Sequence, residues 1–191
     1  MKPAFNIGGI SLPAQVGALN PNWNTPVDQA GEDALFLEAS KLMGETFVRK
    51  LDYYVSAWLP ARDFVVEAIE KRFEYDDAGK ILVFQRSVPW KEHLFNIEEE
   101  MGFDEDVQKP LYVLYAEGEN KPNWRIQCVP VSSDSFESRK PLPEAWRGFR
   151  DEELSEISGV EGCVFVHASG FIGGNKTFEG ALEMAKKVFT L

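Results

Sequence analysis

Three short stretches of this sequence hold the residue types from which a binding site is made. The first is HASGFIGGNKT, residues 167–177. Its glycines permit positive φ and close backbone approach to a ligand. The free amides at the start of a following helix, with the positive end of its dipole behind them, suit a phosphate or carboxylate. On this reading His167, Ser169, Gly170, Gly173, Gly174, Asn175 and Lys176 form an anion cradle, with Ser169, Asn175 and Lys176 as side-chain donors. The bland alternative is a tight strand-to-helix turn whose glycines only relieve crowding, since the run matches neither the phosphate-loop nor the dinucleotide fingerprint. His167 closes the preceding strand, where open α/β sheets bind ligands, or is a hydrogen-bonded structural residue. The second stretch, SRKPLPEAWRGFRDE (138–152), interleaves Arg139, Lys140, Arg147 and Arg150 with Trp146 and Phe149. Guanidinium forks pair bidentately with phosphate and aromatic rings stack on bases. The alternative turns Trp146 and Phe149 inward and pairs the arginines with Glu144, Asp151 or Glu152. The third is Lys91-Glu92-His93 behind Trp90, a polar cluster at a helix start that is either functional or solvated.

A metal centre is not among these candidates. The two histidines stand at 93 and 167, and no HExxH, Asp-His-His run, paired-cysteine spacing or GxSxG occurs. Glu98-Glu99-Glu100 and Asp104-Glu105-Asp106 read as a solvated acidic face. No metal ligand set is assigned in this chain.

The elements that must carry these residues follow from hydrophobic period. Residues 1–30 are rich in Gly, Pro and Asn and read as an irregular lead-in. Leu35, Ala39, Leu42, Met43, Phe47, Leu51, Tyr54, Val55 and Trp58 recur at steps of three and four, one face of a long helix. Pro60 ends that helix and opens a second, with Phe64, Val65, Ala68, Ile69 and Phe73 as its stripe. Together they make a helical linker region over 31–76. Asp76 to Gly79 is a turn; Ile81–Phe84 is a buried strand, and His93–Met101 a short acidic helix. Residues 111–115 and 124–131 form a hairpin, in which Trp124, Ile126 and Cys128 face one way and Arg125 and Gln127 the other. That places Arg125 as a further possible ligand contact. Asp151 caps a helix stopping at Gly159; 163–167 is an apolar strand; the glycine run is a turn; Thr177 caps the last helix. The fold class is α/β, of the α+β mixed-sheet kind: an N-terminal helical pair, then a mixed β-sheet flanked by helices over 77–191.

Composition narrows the function classes. At 191 residues and 44% hydrophobic, the chain has material for one substantial core. No apolar run approaches the ~20 residues of a membrane helix, so no membrane partner is expected. The opening MKPAFNIGGISLPAQVG lacks the apolar stretch of a secretory leader. Cys128 and Cys163, in apolar surroundings, read as free buried thiols of a reducing compartment. A net charge of −11 excludes a general nucleic-acid glue. Yet residues 121–150 hold six basic against three acidic residues, whereas 91–120 hold two against nine. A polyanion can therefore be held locally.

Six ordered blocks carry a resemblance that spacing alone does not supply: LNPNW, WLPAR, PWKEHLF, WRIQCVP, PLPEAWRGFRDEEL and GCVFVHASGFIGGNKTFEGAL. They resemble the melanocyte-proliferating-gene family over about residues 12–189. The resemblance implies a two-part DHH-type phosphoesterase similar to 3′-5′ RNA exonucleases of mitochondria and nucleus. In it a front DHH domain holds a divalent, manganese-like metal, and a rear DHH-associated-like domain closes on substrate. This chain resembles the rear, carboxy-terminal half. His167, Ser169, Gly170, Gly173 and Gly174 fall on the turn that would face the scissile phosphate, and Arg139, Arg147 and Arg150 on the arginine-rich loop. Where the wider class often has histidine after the last glycine, this chain has Asn175, which implies hydrogen bonding rather than proton transfer. The expected function is substrate binding, with RNA or a phosphorylated substrate and the DHH domain as partners and no hydrolysis by this chain alone. Two alternatives stand beside it: a non-catalytic module for a small phosphorylated ligand or nucleotide, and a protein-interaction module using the acidic stretch 98–106.

Overall fold

The computed structural model describes residues 11–103, 109–118 and 121–191, the side chains of 121 and 122 excepted. The chain divides into two compact units, residues 1–59 and 60–191. In the first, the Ser11 side chain accepts from the Ala14 amide and opens a short helix, α1 (Leu12–Gly17), with a proline in its first turn. The expected irregular lead-in is corrected here: a cap and a well-placed Pro13 suffice for one helical segment. Asp28 then caps α2 (Gln29–Tyr53), accepting from the Gly31 amide at 2.9 Å. A π turn, Tyr54–Trp58, follows. The period of α2 was expected to give a buried face, but none of its residues is buried. Leu35, Ala39 and Leu42 are half-covered, and Phe36 and Phe47 stay 71% and 68% exposed. A six-residue helix is too small to cover a 25-residue one.

α3 (Leu59–Tyr75) begins directly after the π turn and has Pro60, which lacks an N–H to donate, as its second residue; the second unit starts there. Its stripe is narrower than expected: Val65, Ala68 and Ile69 are buried, while Phe64 and Phe73 are exposed. Gly79 turns the chain at φ 64°, its amide donating to the Asp76 carbonyl at 2.8 Å. The strands are β1 (Ile81–Phe84), β2 (Tyr112–Gly118), β3 (Lys121–Cys128), β4 (Cys163–Val166) and β5 (Ile172–Asn175), ordered β1-β2-β3-β5-β4. β1 and β2 are parallel, with α4 (Lys91–Glu100) in the connection between them; the other pairings are antiparallel. The mixed α/β architecture matches the expected class.

The side-chain alternation of β3 separates two cores. Ile126 and Cys128 join Ile81, Val83, Tyr112 and Leu114 under α5 (Asp151–Ser158) and α6 (Phe178–Lys187), which supply Leu154, Ala181, Met184 and Ala185. On the opposite face, Leu82, Phe84, Val113 and Val129 pack with Val65, Ala68 and Ile69 of α3 and Leu94 and Ile97 of α4. Both cysteines are free and buried. Gly159 ends α5 at φ 64°, but Arg150 rather than Asp151 is its cap residue; Asp151 begins the helix at φ 47°.

Two expectations need correction. Residues 167–176 are not one strand-to-helix turn, because Ile172–Asn175 form a fifth strand between β3 and β4. A Cβ on Gly173 would lie 3.0 Å from the Phe165 carbonyl oxygen, and one on Gly174 would lie 3.0 Å from that of Trp124. Neighbouring backbones, rather than a turn, require those two glycines. Nor is Glu98 on a solvated acidic face: it is 4% exposed and takes a bidentate pair from Arg139 at 2.6 and 2.7 Å. A carboxylate is buried only where a partner compensates its lost hydration. Residues 104–106 lie outside the described residues.

Candidate functional site

Strand register lines side chains across the sheet. Tyr115 stands opposite Arg125, Arg125 opposite Gly174, and Gly174 opposite Phe165. Arg150 extends the row, bridging antiparallel to Phe165. Because residues alternate along a strand, Arg125, Gly174 and Phe165 lie on the face that carries Gln127, opposite the α5–α6 core. Among the described residues of this unit, the α3–α4 cluster covers that face only toward β1 and β2. Arg125, Gln127, Phe165 and Ile172 stay half-buried, and Arg150 and His167 are exposed.

At the centre of the row two cations approach one ring. The Arg125 guanidinium lies 4.8 Å from the Phe165 ring centroid and that of Arg150 lies 5.7 Å from it. Gly174 makes this possible: a Cβ there would come within 3.1 Å of Arg125 Nη1 and 3.5 Å of Phe165 Cε1. Arg125 also donates to Glu117 at 2.9 Å, whereas no carboxylate among the described residues pairs with Arg150. Burial pushes the Tyr115 hydroxyl up from its ordinary range, against the pull of the Arg125 charge, so the phenol is neutral; it donates to Gln127 at 3.4 Å.

One strand end away, His167, Ser169 and Gly170 form the β4–β5 turn. Gly170 holds φ at 73° and donates its amide to the His167 carbonyl at 2.8 Å. The Ser169 amide donates to His167 Nδ1 at 3.2 Å, and Ser169 Oγ lies 2.9 Å from the same nitrogen. A ring nitrogen that accepts an amide N–H carries no proton of its own, so this contact favours the tautomer with its hydrogen at Nε2. The ring is exposed and meets the Phe171 edge at 4.9 Å. The turn is fixed from below: Gly170 O accepts from the Leu142 amide at 2.9 Å and the Cys128 thiol at 3.3 Å. Burial pushes that thiol up to about 12.

The predicted residues thus separate. Arg125, Arg150, Gly174 and His167–Ser169–Gly170 share the open face and its edge. Arg147 is adjacent but committed, donating from Nε to the Leu142 carbonyl at 3.0 Å and closing on the Cα of Gly170. Arg139 is held by Glu98 and the Pro110 carbonyl. Asn175 is fully buried; its Nδ2 donates to Glu161 O at 2.8 Å and its Oδ1 accepts from the Thr177 amide at 3.0 Å. Gly173 faces Leu142 and Val166 in the core. The Lys176 side chain is exposed. His93 is buried in α4, and Lys91 begins that helix half-buried. The loop arginines do not pair with Glu144, Asp151 or Glu152, although Trp146 turns inward as that alternative supposed. Phe165, the ring both guanidinia share, was overlooked in the sequence; its place two residues before His167 on one strand was the available signal.

Among the described residues, no group of three or more His, Cys, Asp or Glu side chains converges to hold a metal ion. None of the helices described is long and apolar enough to cross a membrane. Two clefts, of about 530 Å³ beside α1 and α2 and about 180 Å³ between α3 and β1, are lined by none of the predicted ligand-binding residues.

Residues 1–189 match the model described as "Uncharacterised protein family (UPF0160)", MYG1_exonuc. The chain belongs to this family. It is 48% identical over 188 residues to the MYG1 protein of Dictyostelium discoideum, covering 98% of this chain and 55% of that one. It is 50% identical over 177 residues to the MYG1 exonuclease of Homo sapiens, covering 92% of this chain and 45% of the relative. The MYG1 exonuclease of Rattus norvegicus is 48% identical over the same length. The chain therefore spans about half the length of the curated relatives it matches. The family expected from the six sequence blocks is the one found. No solved structure matches the chain.

Proposed function

We propose that this chain is the substrate-binding, carboxy-terminal part of a DHH-type, metal-dependent 3′-5′ RNA exonuclease, and that its open sheet face holds the RNA end. The observation that carries the reading is the pair of guanidinia over Phe165 on a glycine floor. Two planar cations set against one ring on an otherwise acidic molecule suit phosphates of one strand. The name exonuclease borne by the human and rat relatives supports a nucleic-acid substrate.

In this reading Arg150, which no carboxylate among the described residues pairs with, takes the first phosphate, and Arg125 takes the next by sharing its charge between phosphate and Glu117. His167 Nε2–H donates to a non-bridging phosphate oxygen, its tautomer favoured by the Ser169 amide. A base stacks on a guanidinium or on the Phe171 ring. In this reading a DHH domain carries the divalent metal, and no bond-breaking step is assigned to the residues named here. Mitochondrial or nuclear residence belongs to the same proposal.

The test is fluorescence anisotropy of labelled single-stranded RNAs of increasing length, at low and moderate salt. Affinity is expected to grow with length, fall with salt, and drop in Arg125→Ala, with melting curves reading separately any stability lost with the Glu117 pair. Equal affinity for all lengths, with binding of a nucleoside monophosphate, would replace this reading with a small-ligand module. Unchanged affinity in Arg125→Ala would remove the sheet face from the site.

A further inference from the structure

We infer that two copies of this chain pair antiparallel through α2. Phe36, Ser40, Met43, Phe47 and Leu51 succeed one another at steps of four and three, a single seam along the helix. Phe36 and Phe47 are each more than two-thirds exposed, and Met43 and Leu51 are 46% and 49% exposed. Contiguous large apolar side chains on a surface mark an interaction site rather than ordinary exposure. Leu35 and Ala39 are half-covered, and with Val16 of α1 they line the same groove as Phe36 and Met43.

The occupant is identified by the symmetry of what surrounds the seam. Glu32 and Asp33 stand at one end of α2, and Arg49 and Lys50 at the other. Glu32 and Lys50 are eighteen residues apart, about five helical turns, so both project on the same side of the helix beside the seam. A two-fold axis at Lys41, their midpoint, sets Glu32 of each copy against Lys50 of the other. The same axis sets Phe36 beside Phe47, because these lie five and six residues from that centre. Charge and apolar pattern therefore share one centre, as an isologous interface requires. A parallel pair would stack acid on acid, base on base and helix dipole on helix dipole.

The test is light scattering and sedimentation of the 191-residue chain across a concentration series. A dimer that dissociates on dilution is expected. Phe47→Glu should raise its dissociation constant at least a hundredfold with unchanged circular dichroism, since Phe47 is exposed. Glu32→Lys should weaken it severalfold, and Glu32→Lys with Lys50→Glu should restore it. A monomer at every concentration would overturn the proposal and leave the seam to another partner, such as further sequence of the longer relatives. A dimer indifferent to Phe47→Glu, or a double charge swap no tighter than the single, would overturn it equally.

Discussion

Arg139 and Arg150 stand at opposite ends of one basic loop, and the fold treats them oppositely. Arg139 is 10% exposed, held by both oxygens of Glu98 and by a backbone carbonyl, with the Phe95 ring 5.1 Å below it. Arg150 is exposed, touches the Phe165 ring and has no carboxylate partner among the described residues. Charge, spacing and neighbouring aromatics are alike in sequence. What separates them is the face each end of the loop meets. The Arg139 end crosses α4, where a buried acid waits; the Arg150 end pairs with β4, away from the part of the sheet face that α3 and α4 cover. One arginine fastens the loop, and the other is the one to which the proposed function gives a ligand.

The largest effect expected from this contrast is on stability at the covered end. Arg139→Ala leaves Glu98 buried without its partner, a loss of about 3–5 kcal/mol. Urea unfolding measures it, and a loss below about 1 kcal/mol would mean the pair is a surface ion pair after all. The layer beneath the turn should answer to pH. Cys128 keeps its proton to about 12 when folded, whereas the unfolded thiol releases it near pH 8.5. Above that value the unfolded chain binds fewer protons, so stability falls as pH rises, by up to about 1.4 kcal/mol per unit until the folded thiol itself titrates. Between pH 9 and 11 this component is about 2 kcal/mol, and Cys128→Ala lacks it. Parallel stability curves for the two proteins over that range would show that the thiol ionises in place.

The parts of the fold that were legible have strong local signals. Alternation along 124–128 separates Ile126 and Cys128 from Arg125 and Gln127, and β3 obeys it. Gly79, Gly159 and Thr177 mark boundaries through their own backbone chemistry and fall where expected, while Pro60 stands at the start of α3 but does not end α2, which gives way to a π turn after Tyr53. The fifth strand was not legible, because Ile172–Asn175 has a single good strand former and is held by its neighbours. For the same reason the glycines read as a phosphate cradle are two different things. Gly173 lets Leu142 and Val166 close, while Gly174 leaves room for Arg125 over Phe165. Asn175, chosen as a donor, spends its amide on Glu161 and Thr177 inside the fold. A helical period announces an apolar face but not what covers it, which is why α2 reads like a core helix and buries nothing.

At the open end the effects should appear in binding and not in stability. Arg150→Ala removes an exposed charge that no carboxylate among the described residues pairs with, so its melting temperature should match wild type within a degree or two. RNA affinity should fall about tenfold, one charge-assisted contact of about 1.4 kcal/mol, and the salt dependence should flatten by about one phosphate. A variant that melts early but binds normally would reverse the assignment of the two arginines.

The smallest effect, and the finest test of the site, is Ser169→Ala. The substitution keeps the backbone amide that donates to His167 Nδ1 but removes the hydroxyl 2.9 Å from the same nitrogen. The tautomer survives because the amide alone holds it, while the ring loses one of two restraints on its orientation. RNA affinity should drop two- to fivefold, about 0.5–1 kcal/mol, with no change in salt slope because no charge is lost. Nitrogen-15 chemical shifts of the His167 ring should keep the Nε2–H pattern. His167→Ala should cost more than Ser169→Ala, and adding Ser169→Ala to His167→Ala should cost nothing further. Additive losses in the double variant would mean that Ser169 binds the ligand itself, and the turn would then be a pair of independent donors instead of a histidine held in position by its serine.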